Sequence, residues 1–316
     1  MKNQHFVEKI RENICSVIVG KEKIIDYLLT AVIADGHILL EDVPGTGKTM
    51  MAKTFARSVE GSFGRIQFTP DLLPSDVTGI NYYNQKISDF VFRRGPVFGN
   101  ILLADEINRA TPRTQSSLLE AMEERQVTVD RTTYKLEAPF LVIATQNPIE
   151  TAGTFQLPEA QLDRFLMKIK MGYPDMDEEY TIIERFLMSS PLNNVEPVCT
   201  TQDIINMQQE AKNVYIHPLL KKYITSFVHY TRTDGDIAIG VSTRGTLTMV
   251  NAVRAFAYVH GRKYVVPEDI RSLEEPVFGH RIILKPSVAL KVSKEEILKR
   301  ADEKLKMPTE DWSEIL

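Results

Sequence analysis

The sequence predicts an α/β protein with a five-stranded parallel sheet, followed by a helical C-terminal part. Three observations predict it. Short, almost uninterrupted apolar runs recur between residues 37 and 171, and helical patterns separate them. Strands that are apolar on both faces suit a parallel sheet covered by helices on each side. After Gly172-Tyr173-Pro174 the strand runs cease and long amphipathic segments take over. A length of 316 residues suits about two domains, so we expect an α/β domain over residues 1–185 and an all-helical domain over 190–316.

Residues 7–34 read as two helices. Ile24, Ile25, Leu28, Leu29, Val32 and Ile33 recur at helical spacing, and Gly20 breaks the chain before them. His37-Ile38-Leu39-Leu40 is the first strand. A glycine-rich turn leads into a helix over 48–59, with Met51, Phe55 and Val59 on one face. Residues 65–68, 101–104, 140–144 and 167–171 supply four more strands. Two stretches do not fit a plain doubly wound sheet. Residues 79–94 and 126–138 read as β-hairpin insertions, the second turning at Asp130-Arg131. In the C-terminal part, helices are expected over 177–188, 201–213, 218–231, 243–260 and 267–273. Asp203, Thr243 and Pro267 stand near their starts.

Composition excludes several classes. A net charge of −4 lacks the basic balance common in nucleic-acid binders. Cys15 and Cys199 are too few for a disulfide framework and read as incidental thiols. The six histidines show no metal-ligand spacing, and no Ser-His-Asp grouping is legible. There is no apolar signal core after Met1 and no run long enough for a membrane span, so a cytoplasmic protein is expected.

The chemistry gathers at the strand ends. Pro44-Gly45-Thr46-Gly47-Lys48-Thr49 follows a strand and opens a helix. Glycines let backbone N–H groups curl around phosphates, and the helix N-terminus adds partial positive charge. Lys48 can reach the β- and γ-phosphates, and the Thr49 hydroxyl can join Mg²⁺. The generic pattern has glycine where this chain has Asp42. The strand 101–104 ends in Asp105-Glu106, at the edge where open α/β sheets place ligands. Asp105 can hold the metal through its water shell, and Glu106 can polarise the attacking water. Asn147 follows the strand 140–144 and can orient that water or contact the γ-phosphate. Two arginines could meet the γ-phosphate from outside the loop: Arg164, just before the fifth strand, and Arg244, at a helix start in the second domain. The spacing alone leaves a structural ion pair open for each.

Together these motifs resemble the AAA+ ATPases, most closely the MoxR family, over nearly the whole chain. The specific pieces are Leu40 through Thr49, Ala104-Asp105-Glu106-Ile107-Asn108-Arg109-Ala110, Leu118 through Glu124, Ala144 through Pro148, Leu157 through Phe165, and Gly261 through Asp269. The resemblance implies ATP and Mg²⁺ as cofactors. It puts the phosphate loop (Walker A) at Pro44–Met50, with Lys48 and Thr49, and Walker B at Asp105 and Glu106. Asn147 matches sensor 1, Arg164 the finger that acts on a neighbour's nucleotide, and Arg244 sensor 2. Val19 and Gly20 fall where such proteins contact adenine. Residues 79–94 match the helix-2 insertion and 126–138 the pre-sensor-1 hairpin. Asp42 is compatible with the family. The family forms rings, commonly hexamers. Its members are thought to act as chaperones that remodel or assemble complexes, often with a partner carrying a von Willebrand factor A domain, and no residue here names a client.

Two other functions stand beside this one. Arg93, Arg94 and Lys86 in the first insertion give some footing to a DNA-acting ring ATPase. A nucleotide-gated scaffold with negligible turnover would need neither Glu106 nor Arg164.

Overall fold

The structure is a computed structural model that describes residues 1–41, 45–147, 153–187 and 190–308. The helices α1 (His5–Val17) and α2 (Glu22–Ile33) come first. Gly20, between them, is left-handed at φ +67°. A Cβ at Gly20 would stand 1.7 Å from Glu178 Oε1, so any side chain there would displace the Glu178 carboxylate as well as strain the backbone.

The sheet layer follows. β1 (Ile38–Glu41) leads to α3 (Lys48–Ser58), β2 (Phe63–Gln67) and the short α4 (Pro74–Thr78). β3 (Gly79–Asn84) and β4 (Asp89–Arg94) form the first hairpin. β5 (Ile101–Asp105) and α5 (Pro112–Glu124) precede the second hairpin, β6 (Gln126–Val129) and β7 (Thr132–Lys135). β8 (Leu141–Gln146), α6 (Glu159–Leu162) and β9 (Met167–Ile169) complete this part. The five sheet strands are all parallel, in the order β2-β5-β8-β1-β9.

Both sheet faces are apolar, and the two-residue strand period divides them. Ile38, Leu40, Leu103 and Ile143 join a cluster with α1, α2 and α3. Leu39, Leu102, Ala104 and Val142 join another with α5. The hairpins are joined to each other. Phe92 stacks on Tyr134 with ring centroids 4.2 Å apart, and Asn81 Nδ2 donates to Asp130 Oδ2 at 2.6 Å.

The C-terminal part carries α7 (Met176–Phe186), α8 (Thr201–Ala211), α9 (Pro218–Thr233), β10 (Ile237–Ile239), α10 (Thr243–Val259), α11 (Pro267–Phe278), β11 (Ile283–Leu284), α12 (Pro286–Ala289) and α13 (Lys294–Lys304). It is helical as expected, with one correction to the all-helical expectation: β10 and β11 pair antiparallel. Strands this short carry too little periodicity to read from sequence.

This part docks on the sheet edge and on α2. Gln208 Nε2 donates to Val32 O at 2.7 Å, and Tyr27 Oη donates to Ser272 O at 2.9 Å. Arg281 is buried beside β9. It donates to the carbonyls of Asp163, Phe165 and Leu166, and its Nε lies 2.6 Å from Asp163 Oδ1. Burial pushes its guanidinium pKa down to about 10, and Asp163 pulls it back up. The first apolar cluster therefore runs from the sheet into α8, α10 and α11 without a break. Among the described residues, no helix is long and apolar enough to cross a membrane.

Candidate active site

The site lies where the parallel strands exit the sheet. Gly45 and Gly47 are left-handed, at φ +87° and +89°. Nothing would touch a Cβ at Gly45, so backbone conformation rather than space selects glycine there. Lys48 and Thr49 begin α3, whose N-terminal N–H groups have no partner within the helix. Gly45 through Met50 line one wall of a cavity of about 320 Å³. Arg65, Gln67, Asp105, Glu106, Thr145 and Asn147 line the rest. Pro44, assigned to the loop from sequence, lies outside the described residues.

The acids sit opposite the loop. Asp105 ends the fully buried strand β5. Its Oδ2 accepts from Arg65 Nε at 2.9 Å, and its Oδ1 accepts from Thr145 Oγ1 at 3.2 Å. The Thr145 hydroxyl also accepts the Glu106 N–H at 2.8 Å. Glu106 itself is left-handed at φ 56°, ψ 49°, a conformation that costs about 1–3 kcal/mol for a residue with a side chain. That turn aims the carboxylate into the cavity. Gln67 Nε2 donates to Glu106 Oε2 at 2.7 Å, and Arg109 Nε stands 3.0 Å from the same oxygen. Asn147 is buried at the β8 exit and lines the cavity, as the sequence suggested.

Three cavity residues carried no role in the sequence reading. Arg65 and Gln67 alternate with the apolar Ile66 and Phe68. That alternation at a strand end was a usable signal, but their proximity to the acids depends on β2 lying beside β5. Thr145 was quoted in a motif only as a neighbour of Asn147.

Val19 and Gly20 do not line the cavity. They belong to the turn after α1, whose Ile18 Cδ1 comes within 3.7 Å of a Cβ built on Gly47. This places the turn beside the phosphate loop, on its α1–α2 side.

The arginines are elsewhere. Arg164 precedes β9, and Arg244 lies in the first turn of α10. Both bind Glu123: Arg164 Nε at 2.5 Å from Oε2, and Arg244 Nη1 at 3.1 Å from Oε1. The bond from Arg164 holds the Glu123 carboxyl below the usual range, and the charge of Arg244 adds to the effect. They line a separate cavity of about 210 Å³ with Asp35, His37, Arg125 and Arg281. His37 is buried there, and burial holds its imidazole neutral, far below its usual pKa. Its Nδ1 accepts the Val142 N–H at 3.0 Å, and its Nε2 lies 3.2 Å from Met122 O.

This second cavity is at the opposite end of the sheet. Gly36 and His37 lead into β1, and Leu166 leads into β9; the phosphate loop follows β1 at its other end. The four residues of β1 put roughly 10 Å of strand between the two ends. The two cavities share no lining residue. α10 docks at the strand-entry end, which places Arg244 beside Arg164 and away from the loop cavity of its own chain.

A glycine loop that opens a helix at a strand exit, facing Asp-Glu at the end of the strand one removed, across β8, is the arrangement of the P-loop nucleoside triphosphatases. Comparison narrows the class. The ATPase family associated with various cellular activities (AAA) matches residues 37–167, and the AAA lid domain matches 229–301. The chain is 40% identical to "Chaperone MoxR1" of Mycobacterium tuberculosis, covering 96% of this chain and 83% of that one. It is 48% identical to "Uncharacterized protein YeaC" of Bacillus subtilis, over 96% and 95% of the two chains. The crystal structure of a putative ATPase from Cytophaga hutchinsonii superposes with a TM-score of 0.91 at 39% identity, covering 98% of this chain and 96% of that one. The chain belongs to the MoxR family of AAA ATPases.

Proposed function

We propose that this chain binds ATP with Mg²⁺ and hydrolyses it within a homo-oligomeric ring, commonly a hexamer in this family, to remodel or assemble partner proteins in the cytoplasm. Its α/β part, residues 1–185, carries the loop and acids. Its helical part, 190–316, carries Arg244. One observation supports the ring above all: Lys48 and Glu106 lie at one end of the sheet, while Arg164 and Arg244 lie at the other. A second copy is needed to bring the two halves together.

Each residue has work in this reading. The glycine loop and Lys48 hold the triphosphate. Val19 and Gly20, beside the loop, border the base. Glu106 takes the proton of the attacking water, and Asn147 orients that water. Arg164 and Arg244 of the neighbour meet the charge that develops on the transferred phosphoryl group. The donors present fit Mg²⁺. Thr49 and Asp105 offer hard oxygens, and among the described residues no group of three or more acids, histidines or cysteines could hold a metal by itself. That suits an ion bound largely by phosphate and water. When bound, it would neutralise charge on the phosphates.

The joined hairpins support mechanical coupling, because Phe92 on Tyr134 links two insertions that would otherwise move apart. The relative named a chaperone supports a protein client, and a von Willebrand factor A domain partner belongs to the same proposal. DNA is a poorer fit. Arg94 is engaged by Glu137 at 3.7 Å and lies over the Phe98 ring.

The test is Glu106→Gln. It should keep ATP affinity and lose most turnover in a steady-state phosphate-release assay. Wild-type turnover in that variant would remove Glu106 from the chemistry. Arg164→Ala should also be slow, and mixing it with a Lys48→Ala chain should restore part of the activity, because mixed rings contain some complete sites. No rescue at any ratio would count against action between subunits.

A further inference from the structure

A third cavity, of about 330 Å³, opens where the helical part meets the outer edge of the sheet. α2, β1, β9, α11 and α13 all contribute to its walls, so both parts of the chain enclose it. Ile24, Ile169, Pro276 and Leu298 supply apolar wall. Four lysines line it as well: Lys23, Lys168, Lys170 and Lys294. Lys168 is engaged by Glu41 at 2.7 Å and Lys170 by Glu295 at 3.7 Å. Lys294 is half-buried and, among the described residues, has no carboxylate within ion-pair distance. Lys23 has none either, and its ammonium lies 5.7 Å from the Tyr27 ring centroid. Against these two cations the described lining offers one unengaged carboxylate, Glu275. Burial and the nearby charge of Lys168 push the Lys294 ammonium pKa down, with Glu295 and Glu41 pulling it back. His280 forms part of the wall and is 5% exposed. Arg281 Nη1 can only donate, and it lies 2.7 Å from His280 Nε2. The neutral ring therefore carries its proton on Nδ1, and that N–H has no partner. A half-buried cation without an anion and a buried N–H without an acceptor lack the same thing, an anionic oxygen.

We propose that this cavity is a second ligand site, which takes a small organic phosphate with an apolar body and ties the helical part to the sheet edge. The phosphate follows from the lysines. Ammonium groups are point charges that can gather around a dianion from several directions, whereas a flat carboxylate is matched by the fork of an arginine. Among the described residues no arginine lines the cavity. The apolar body follows from the volume and from the aliphatic wall, which an inorganic ion would leave unused. The site is separate from the nucleotide site. It shares no lining residue with the loop cavity, and neither Val19 nor Gly20 lines it. Its occupancy does not depend on hydrolysis at the loop.

The experiment is calorimetric titration of the full chain carrying Lys48→Ala, which weakens phosphate binding at the loop. The probe is phenyl phosphate, with inorganic phosphate and benzoate as controls. Phenyl phosphate should bind once per chain and raise the melting temperature, because both parts of the chain hold it. Each control should bind at least about tenfold more weakly, one for want of the apolar body and the other for want of the dianion. Adding Lys294→Met should weaken phenyl phosphate at least about tenfold, and Lys294→Arg should keep most of the affinity. Without ligand, Lys294→Met should melt at or above the parent, because it removes a half-buried charge that has no partner. No binding of phenyl phosphate, or equal binding in the Lys294→Met chain, would overturn the site. Benzoate binding as tightly would overturn the assignment to phosphate. A lower melting temperature of ligand-free Lys294→Met would make Lys294 a structural group and count against the proposal. None of these outcomes bears on ATP hydrolysis, so the two readings fail separately.

Discussion

Glu123 accepts from Arg164 at 2.5 Å on one oxygen and from Arg244 at 3.1 Å on the other. One carboxylate on α5 thus ties an arginine of the sheet layer to an arginine of the C-terminal helices. Two guanidiniums brought together repel, and the shared anion lets them act as a unit. A second tie lies alongside, where Asp163 accepts from Arg281 and from Ser242 Oγ at 3.1 Å.

Glu123→Ala should therefore lower turnover about tenfold by releasing both arginines from their orientation. Binding of ATP should not change, because Glu123 is absent from the loop cavity. Glu123→Gln keeps an acceptor and should fall between. Added to an Arg164→Ala/Arg244→Ala chain, Glu123→Ala should cause no further loss if it acts through the two arginines. Steady-state phosphate release with an independent ATP titration checks all of these, and additive losses would give Glu123 a separate role.

Thr145 carries another testable arrangement. Its hydroxyl accepts the Glu106 N–H and donates to Asp105. Thr145→Val keeps the shape and strands that N–H beside a left-handed backbone. An unmet buried donor costs about 1–3 kcal/mol, so the variant should melt several degrees lower and turn over at least about tenfold more slowly. Thr145→Ser should recover most of both. Unchanged melting and turnover in the valine variant would show that the hydroxyl does not hold the Glu106 turn.

Arg65 and Asp105 set up a competition. The guanidinium occupies the oxygen that a metal's water shell would use. Arg65→Gln should lower the Mg²⁺ concentration for half-maximal turnover, while Asp105→Asn should raise it at least about tenfold. A magnesium titration of phosphate release reads both. If Arg65→Gln raises the requirement instead, Arg65 supports the metal site rather than competing with it.

These residues show where the sequence was legible. The five strands, both hairpins and the glycine loop carry their signals locally, in apolar runs, turn residues and the spacing of Gly47-Lys48-Thr49. Asp105 and Glu106 were legible because they end an apolar strand. Arg65 and Thr145 were not, because their importance comes from strand order, which puts β2 and β8 on either side of β5. The position of Arg244 relative to the sheet was not legible for a related reason. Its helix start was evident from Ser242-Thr243, but the end of the sheet on which α10 docks is set by Arg281, Asp163 and the β9 edge, contacts between residues more than 100 positions apart. Gly20 was read as a helix break, and its second constraint, the approach of Glu178, appears only in three dimensions.

The C-terminal helices contain a pH-dependent element. Glu274 is buried on α11, and burial pushes its pKa from 4.5 to about 8, with the Asp302 charge adding to the rise. Tyr223 Oη lies 3.3 Å from Glu274 and 2.9 Å from Asp302, and Arg271 stands 3.5 Å from Asp302. One hydroxyl proton cannot serve both carboxylates, so a protonated Glu274 completes the group at neutral pH. In the unfolded chain Glu274 returns to its ordinary pKa. Between about pH 4.5 and 8 the folded state therefore holds a proton that unfolding releases. The stability from this group is complete below pH 4.5, declines as pH rises, and is lost as pH passes through 8. Glu274→Gln keeps the shape and removes the titration. The variant and the wild type should melt together near pH 4.5, and the variant should melt higher by pH 8. Thermal melts across that range check it, and curves that stay parallel would mean that Glu274 is already ionised in the folded protein.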